Sequence, residues 1–158
     1  MSGEKATAQM SNQIARFAQR AQRLIGVRGE VGILLTSNAA MRRLNRQFRK
    51  TDKSTDVLSF PASPASSGKH AGDIAIALPV AAAQARSFGH MTLDEVKLLV
   101  LHGLLHLAGY DHEHDGGRMA RKEEGLRRAL RLPAGLTSRQ PTRKRGARRT
   151  ASLGRKKV

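Results

Sequence analysis

Two histidines one helical turn apart in an almost wholly apolar stretch, with a glycine and then a third histidine after them, limit this chain more than any other feature. The stretch runs Leu98-Leu99-Val100-Leu101-His102-Gly103-Leu104-Leu105-His106-Leu107-Ala108-Gly109-Tyr110-Asp111-His112. Positions i and i+4 of a helix share a face, so His102 and His106 point the same way. Burying two unpartnered imidazoles on such a helix would be costly. Gly109 can take the left-handed conformation that stops a helix and turns the chain, which returns His112 toward the point the first two aim at. Three imidazoles on one point make an open metal site whose fourth position is left for water or substrate. The expected cofactor is one Zn2+ per chain on His102, His106 and His112.

The spacing is similar to the metzincin pattern H-E-x-x-H-x-x-G-x-x-H, except that Gly103 stands where those proteases carry a general-base glutamate. Peptide hydrolysis by the usual route is therefore not expected, and the site points to another hydrolytic substrate.

Charge says which. The 158 residues carry a net charge of +17, and residues 139–158 alone hold nine Lys or Arg and no acidic residue. A polyanion partner follows, nucleic acid ahead of a membrane surface. With four Phe, one Tyr and no Trp, no platform for stacking several bases is expected, so contacts should lean on phosphates. The absence of cysteine excludes disulfides and thiolate metal sites. No signal-peptide core follows Met1 and no apolar run approaches a membrane span, so a cytoplasmic protein is expected.

Along the chain, Met10, Ile14, Phe17, Ala18, Ala21, Leu24 and Ile25 predict an amphipathic helix ending near Gly26. Val31 to Leu35 reads as a strand. Thr36 or Ser37 caps a second helix with Ala40, Met41, Leu44 and Phe48 inward and a basic outer face of Arg42, Arg43, Arg46, Arg49 and Lys50. A strand is predicted from Lys53 to Pro61, a loop over 62–71 that includes His70, and another strand from Gly72 to Leu78. Pro79 opens a helix to Phe88. Thr92 caps the histidine helix, and Asp115 starts a last helix with Met119, Leu126 and Leu130 inward, ended by Pro133 and Gly135. The predicted class is α/β: a small sandwich with a short mixed sheet and about five helices. One domain, 1–136, is expected, followed by a disordered basic tail, 137–158.

Three blocks together resemble the YbeY family of bacterial endoribonucleases: Leu44-Asn45-Arg46-Gln47-Phe48-Arg49 with Lys53 and Thr55-Asp56-Val57-Leu58-Ser59-Phe60-Pro61; Gly72-Asp73-Ile74; and the histidine block. The resemblance spans about residues 10–132. It implies a zincin-like fold, zinc on the three histidines, and cleavage of single-stranded RNA in rRNA 3′-end maturation and ribosome quality control. rRNA precursors and ribosomal particles are the implied partners, and the family's functional arginine falls on Arg49. Departures are Ser54 where proline is common, Ala120 where an acidic residue is common, and a shorter stretch between His112 and Met119. Asp111 is a candidate for orienting an imidazole or moving a proton. Arg46, Lys53, Arg143, Lys144, Arg145, Arg148 and Arg149 are candidates for RNA phosphates. The rival reading is a non-catalytic pre-rRNA-binding assembly factor with a structural metal, against which a three-histidine set argues because structural zinc sites are normally closed by four protein ligands.

Each phosphate contact on a single strand adds about 0.7 to the salt slope of log K. If four tail residues engage RNA, truncation after residue 138 should flatten that slope by roughly 3, with turnover at saturating RNA unchanged. Binding across a salt series, beside single-turnover cleavage, checks this.

Overall fold

A computed structural model describes residues 2–49, 55–63, 65, 68–111 and 115–133. Among them, five helices and three strands follow in the order α1 (Ser2–Ile25), β1 (Glu30–Thr36), α2 (Asn38–Arg49), β2 (Val57–Pro61), β3 (His70–Ala77), α3 (Leu78–Phe88), α4 (Thr92–Leu107) and α5 (Arg118–Ala129). The sheet order is β1-β3-β2, with β1 parallel and β2 antiparallel to β3. This is the mixed α/β architecture expected from the alternation of apolar patterns.

The centre strand explains the layering. Side chains alternate across a strand, so Ile74 and Ile76 of β3 enter the large core with α1 and α4, while Ala75 and Ala77 face α2. Val57 of β2 joins the first side, and Leu58 joins Met41 of α2 on the second. Helix α4 is the centre of the large core. Leu98, Leu99, Val100, Leu101, Leu104 and Leu105 are all fully buried, as an apolar helix requires. They are enclosed by the sheet, α1, α3 and α5. Glu95, also fully buried, is partnered by His90, whose Nε2 lies 2.7 Å from Oε1.

Close approach of α4 to the sheet explains Gly103. A Cβ there would lie 3.0 Å from two carbons of Ile74 and 3.1 Å from the Ser59 hydroxyl. The position occupied by glutamate in the metzincin pattern thus faces the sheet. Gly72 has a similar reason, since a Cβ would come within 2.6 Å of the Phe60 carbonyl and 2.7 Å of the Leu107 side chain.

Several boundaries differ from the sequence expectations. Helix α1 starts at Ser2, well before Met10, where polar residues hide the period. Ser37 caps α2, its hydroxyl accepting from the Ala40 amide at 3.1 Å. Thr92 is the first residue of α4, and the capping position is Met91, with no side-chain cap. The Thr55–Asp56 end of the second predicted strand lies outside the ladder, which begins at Val57. His70 opens β3 and Leu78 opens α3. His70 pairs opposite Glu30 across the sheet, a partner that local composition does not show. Helix α5 ends at Ala129, before Pro133: Arg131 takes φ +58° and the Leu132 amide donates to the Arg127 carbonyl at 2.9 Å, a left-handed stop without glycine.

Helix α5 starts at Arg118 with Gly117 at its capping position, three residues later than the Asp115 start expected from the sequence. The Asp115 carboxylate still ties down that start, accepting from the amides of Gly117 at 2.9 Å and Met119 at 2.8 Å. Partial burial alone would raise its pKa, but the amides of Met119, Gly117 and Arg118 outweigh it and lower the carboxyl below its ordinary 3.8. On the same helix, hydrogen bonding to Arg127 foremost, with Arg128, lowers Glu124 from 4.5 to about 2. Carboxylates depressed in the fold contribute stability above their unfolded pKa and lose it as pH falls through the folded value. The melting temperature should therefore drop from about pH 4.5 toward pH 2, and less steeply in Asp115→Asn and Glu124→Gln. Melting curves over that range check the prediction.

Candidate functional site

Helix α4 ends as Gly109 demands. Gly109 has φ +100°, its amide donates to the His106 carbonyl and the Tyr110 amide to the Leu105 carbonyl, both at 3.0 Å. That doubly bonded stop turns the chain sharply just after His106. Tyr110 then packs on the core, with the Arg118 guanidinium 5.5 Å above its ring, tying the turn to the start of α5.

The two helical histidines meet as their spacing requires. Their Nε2 atoms stand 3.2 Å apart and their rings lie nearly perpendicular, at 76°. Two nitrogens bound to one tetrahedral zinc at about 2.0–2.1 Å lie roughly 3.3 Å apart, so the pair fits such an ion. Among the described residues no group of three His, Cys, Asp or Glu forms a metal cluster. His112, expected as the third ligand, lies outside the described residues.

What holds His102 is a residue that sequence reading missed. Nδ1 of His102 donates to Oε2 of Glu123 on α5 at 3.1 Å, and both side chains are buried. The bond puts the proton on Nδ1 and turns the Nε2 lone pair toward His106, as carboxylates do behind metal-binding histidines. The signal was weak but present: Glu123 sits four residues after inward Met119, on the same face of α5. Asp111, weighed for such a role, is exposed just beyond the Gly109 turn, and the carboxylate on His102 is Glu123.

The phosphate-binding candidate reaches the same place by a long route. Val57, Ser59 and Pro61 line a cleft of about 170 Å³ together with Arg49 and His106. Ser59 belongs to the α4 side of the sheet, its hydroxyl donating to the Gly103 carbonyl at 3.2 Å. Arg49 comes from α2 on the other side, so it reaches around the edge strand β2 to enter the cleft. Arg46 is exposed on the same helix. Lys53 and the tail residues Arg143, Lys144, Arg145, Arg148 and Arg149, with the whole of 137–158, lie outside the described residues. A larger cavity of about 650 Å³ lies between α1 and β1, remote from these groups and lined by Ile14, Gln22, Val31 and Ile33 among others.

The site thus brings together a metal-competent nitrogen pair, one of the two imidazoles fixed by a buried carboxylate, and a guanidinium across a narrow cleft. The Arg49 guanidinium and the His106 imidazole face one space, an arrangement suited to an anionic ester.

Comparisons with known proteins agree in kind. The family described as Endoribonuclease YbeY matches residues 2–131. A protein of Koribacter versatilis named Endoribonuclease YbeY is 46% identical over 149 residues, covering 92% of this chain and 96% of its own. One of the same name from Solibacter usitatus is 52% identical over 126 residues, covering 80% and 83%. Among solved structures, the solution structure of a Thermotoga maritima protein superposes with a TM-score of 0.56 at 27% identity, over 78% of this chain and 82% of that one.

Removing the Glu123 carboxylate leaves a buried imidazole N–H without its acceptor. Glu123→Ala should destabilise the fold by about 1–3 kcal/mol, and Glu123→Gln, which keeps an acceptor oxygen, by less. Urea denaturation of the three proteins measures the difference.

Proposed function

This chain belongs to the YbeY endoribonuclease family, and from that premise we propose that it is a zinc-dependent endoribonuclease that cleaves single-stranded RNA in rRNA 3′-end maturation and ribosome quality control. The observation that carries the reading is the shared cleft of Arg49 and His106, with His102 held behind it by Glu123.

His102, His106 and His112 would hold the ion, which would supply Lewis acidity toward a phosphate oxygen or an attacking water. The chain's own residues do the rest. Glu123 keeps the His102 proton on Nδ1, so that Nε2 is presented as a lone pair. Arg49, always charged and planar, binds a phosphate through paired hydrogen bonds and offsets the charge that grows on it during cleavage. Its place at the end of α2, reaching around the edge of the sheet, lets it grip a chain lying along the cleft. Because residue 103 is a glycine against Ile74 and Ser59, it supplies no carboxylate to the reacting centre. Asp111, exposed one residue before His112, is the candidate for orienting an imidazole or for moving the proton. The tail adds affinity for RNA or ribosomal particles through phosphate contacts. Among the described residues no helix is long and apolar enough to cross a membrane. Maturation of rRNA would place the chain in the cytoplasm.

Arg49→Ala should leave folding and zinc content intact while cleavage of labelled single-stranded RNA falls by at least about 100-fold, the scale of a lost electrostatic donor. Arg49→Lys should recover only part, because an ammonium cannot form the planar fork. His106→Ala should lower co-purified zinc severely. Unchanged zinc in that variant, or wild-type cleavage by Arg49→Ala, would overturn the assignment. RNA binding without any chelator-sensitive cleavage would favour the assembly-factor reading.

A further inference from the structure

The apolar stripe of α2 runs Met41, Leu44, Phe48 at helical spacing, and it outlasts the core it covers. Met41 is fully buried whereas Phe48 is 57% exposed. Its ring stands edge-on to Phe60 of β2, with centroids 5.2 Å apart and planes at 66°. Phe60 in turn packs, half-buried, on the cluster of Met41, Leu58, Ala75 and Ala77. The contact steadies the Phe48 ring from beneath and leaves more than half of the residue open to solvent.

Its surroundings say what fits there. The next residue is Arg49, in the cleft with His106. Arg42, Arg46 and Arg49 follow at i, i+4 and i+7 along one side of the helix, all exposed, and α2 carries no acidic residue. An exposed aromatic face beside a row of guanidinium groups is complementary to a nucleotide, which presents a flat π-surface and an anionic phosphate together. An apolar peptide would match the ring but not the row of charges.

We propose that Phe48, backed by Phe60, is a stacking platform for one nucleobase of single-stranded RNA whose adjoining phosphate is held by Arg49. The proposal rests on the RNA-cleaving reading and goes beyond it. Arg49 determines where the backbone lies, and Phe48 holds a base next to it. A base paired and stacked within a duplex cannot turn onto the ring, so the platform selects for unpaired strands. One ring accepts any base, since each has a π-face, so sequence preference from this subsite is weak.

The chain has no tryptophan, so Phe48→Trp introduces a lone reporter, and Phe88→Trp provides its control. Phe88 is 44% exposed and precedes α4, whereas His106 is near the helix's far end, about 20 Å away along the axis. A short single-stranded RNA should quench the emission of Phe48→Trp and leave that of Phe88→Trp unchanged. Inorganic polyphosphate, which has charge but no bases, should bind without quenching either. In parallel, Phe48→Ala should bind the RNA about 5- to 100-fold more weakly and bind polyphosphate as the wild type does. RNA that binds without quenching Phe48→Trp, that quenches both variants alike, or that Phe48→Ala binds normally overturns the platform while leaving the nuclease reading intact. Failure of the wild-type chain to bind or cleave RNA overturns both.

Discussion

Enclosure of α4 is the constraint on which the rest of the structure depends. A helix apolar on every side gains its stability only when all sides are covered, and this one is covered by β2, β3, α1, α3 and α5 in turn. The surroundings bring polar groups where α4 has them. His90 partners Glu95 in the first turn, and further along the helix Glu123 meets His102 while Ser59 bonds the carbonyl of the next residue, Gly103. Packing and polar satisfaction are thus achieved by the same contacts, which is why the buried imidazole does not cost the fold what an unpartnered one would.

The site follows from where elements stop. Pro61 at the end of β2 pairs with Gly72 near the start of β3, and Gly72 lies against Leu107 at the end of α4. Helix α2 ends at the same end of the sheet, so Arg49 needs only its own length to pass the edge strand. No element bends to build the cleft. It is the space left where a helix on each side of a narrow sheet runs out, lined by whatever the last turns carry.

The apolar stripe of α2 meets the same end, with a different result. Met41 finds the sheet beneath it and Phe48 finds only the rim, so an aromatic that reads as core in the sequence becomes surface. Two of the four phenylalanines, twelve residues apart, come into edge contact beside Arg49.

Much of this was legible in the chain itself. His102 and His106 facing one another, the Gly109 turn and the α/β class all follow from interactions within one helical turn or from alternating periods, which are local. The element edges at Ser2, Val57 and His70 were not, because a strand's limits are set by its neighbour in the ladder and a polar helix end by no pattern at all. Glu123 lies 21 residues from His102; its place on the inward face of α5, four residues after Met119, says that it turns inward but not which group it meets. Arg49 was visible through its family resemblance, yet its entry into a cleft on the opposite side of the sheet depends on β2 being an edge strand. The sequence determined which side chains a turn or a period brings together. Only the tertiary structure decided which carboxylate holds the histidine, which face Gly103 turns to, and which phenylalanine is left outside, because those depend on close packing between elements distant in the chain.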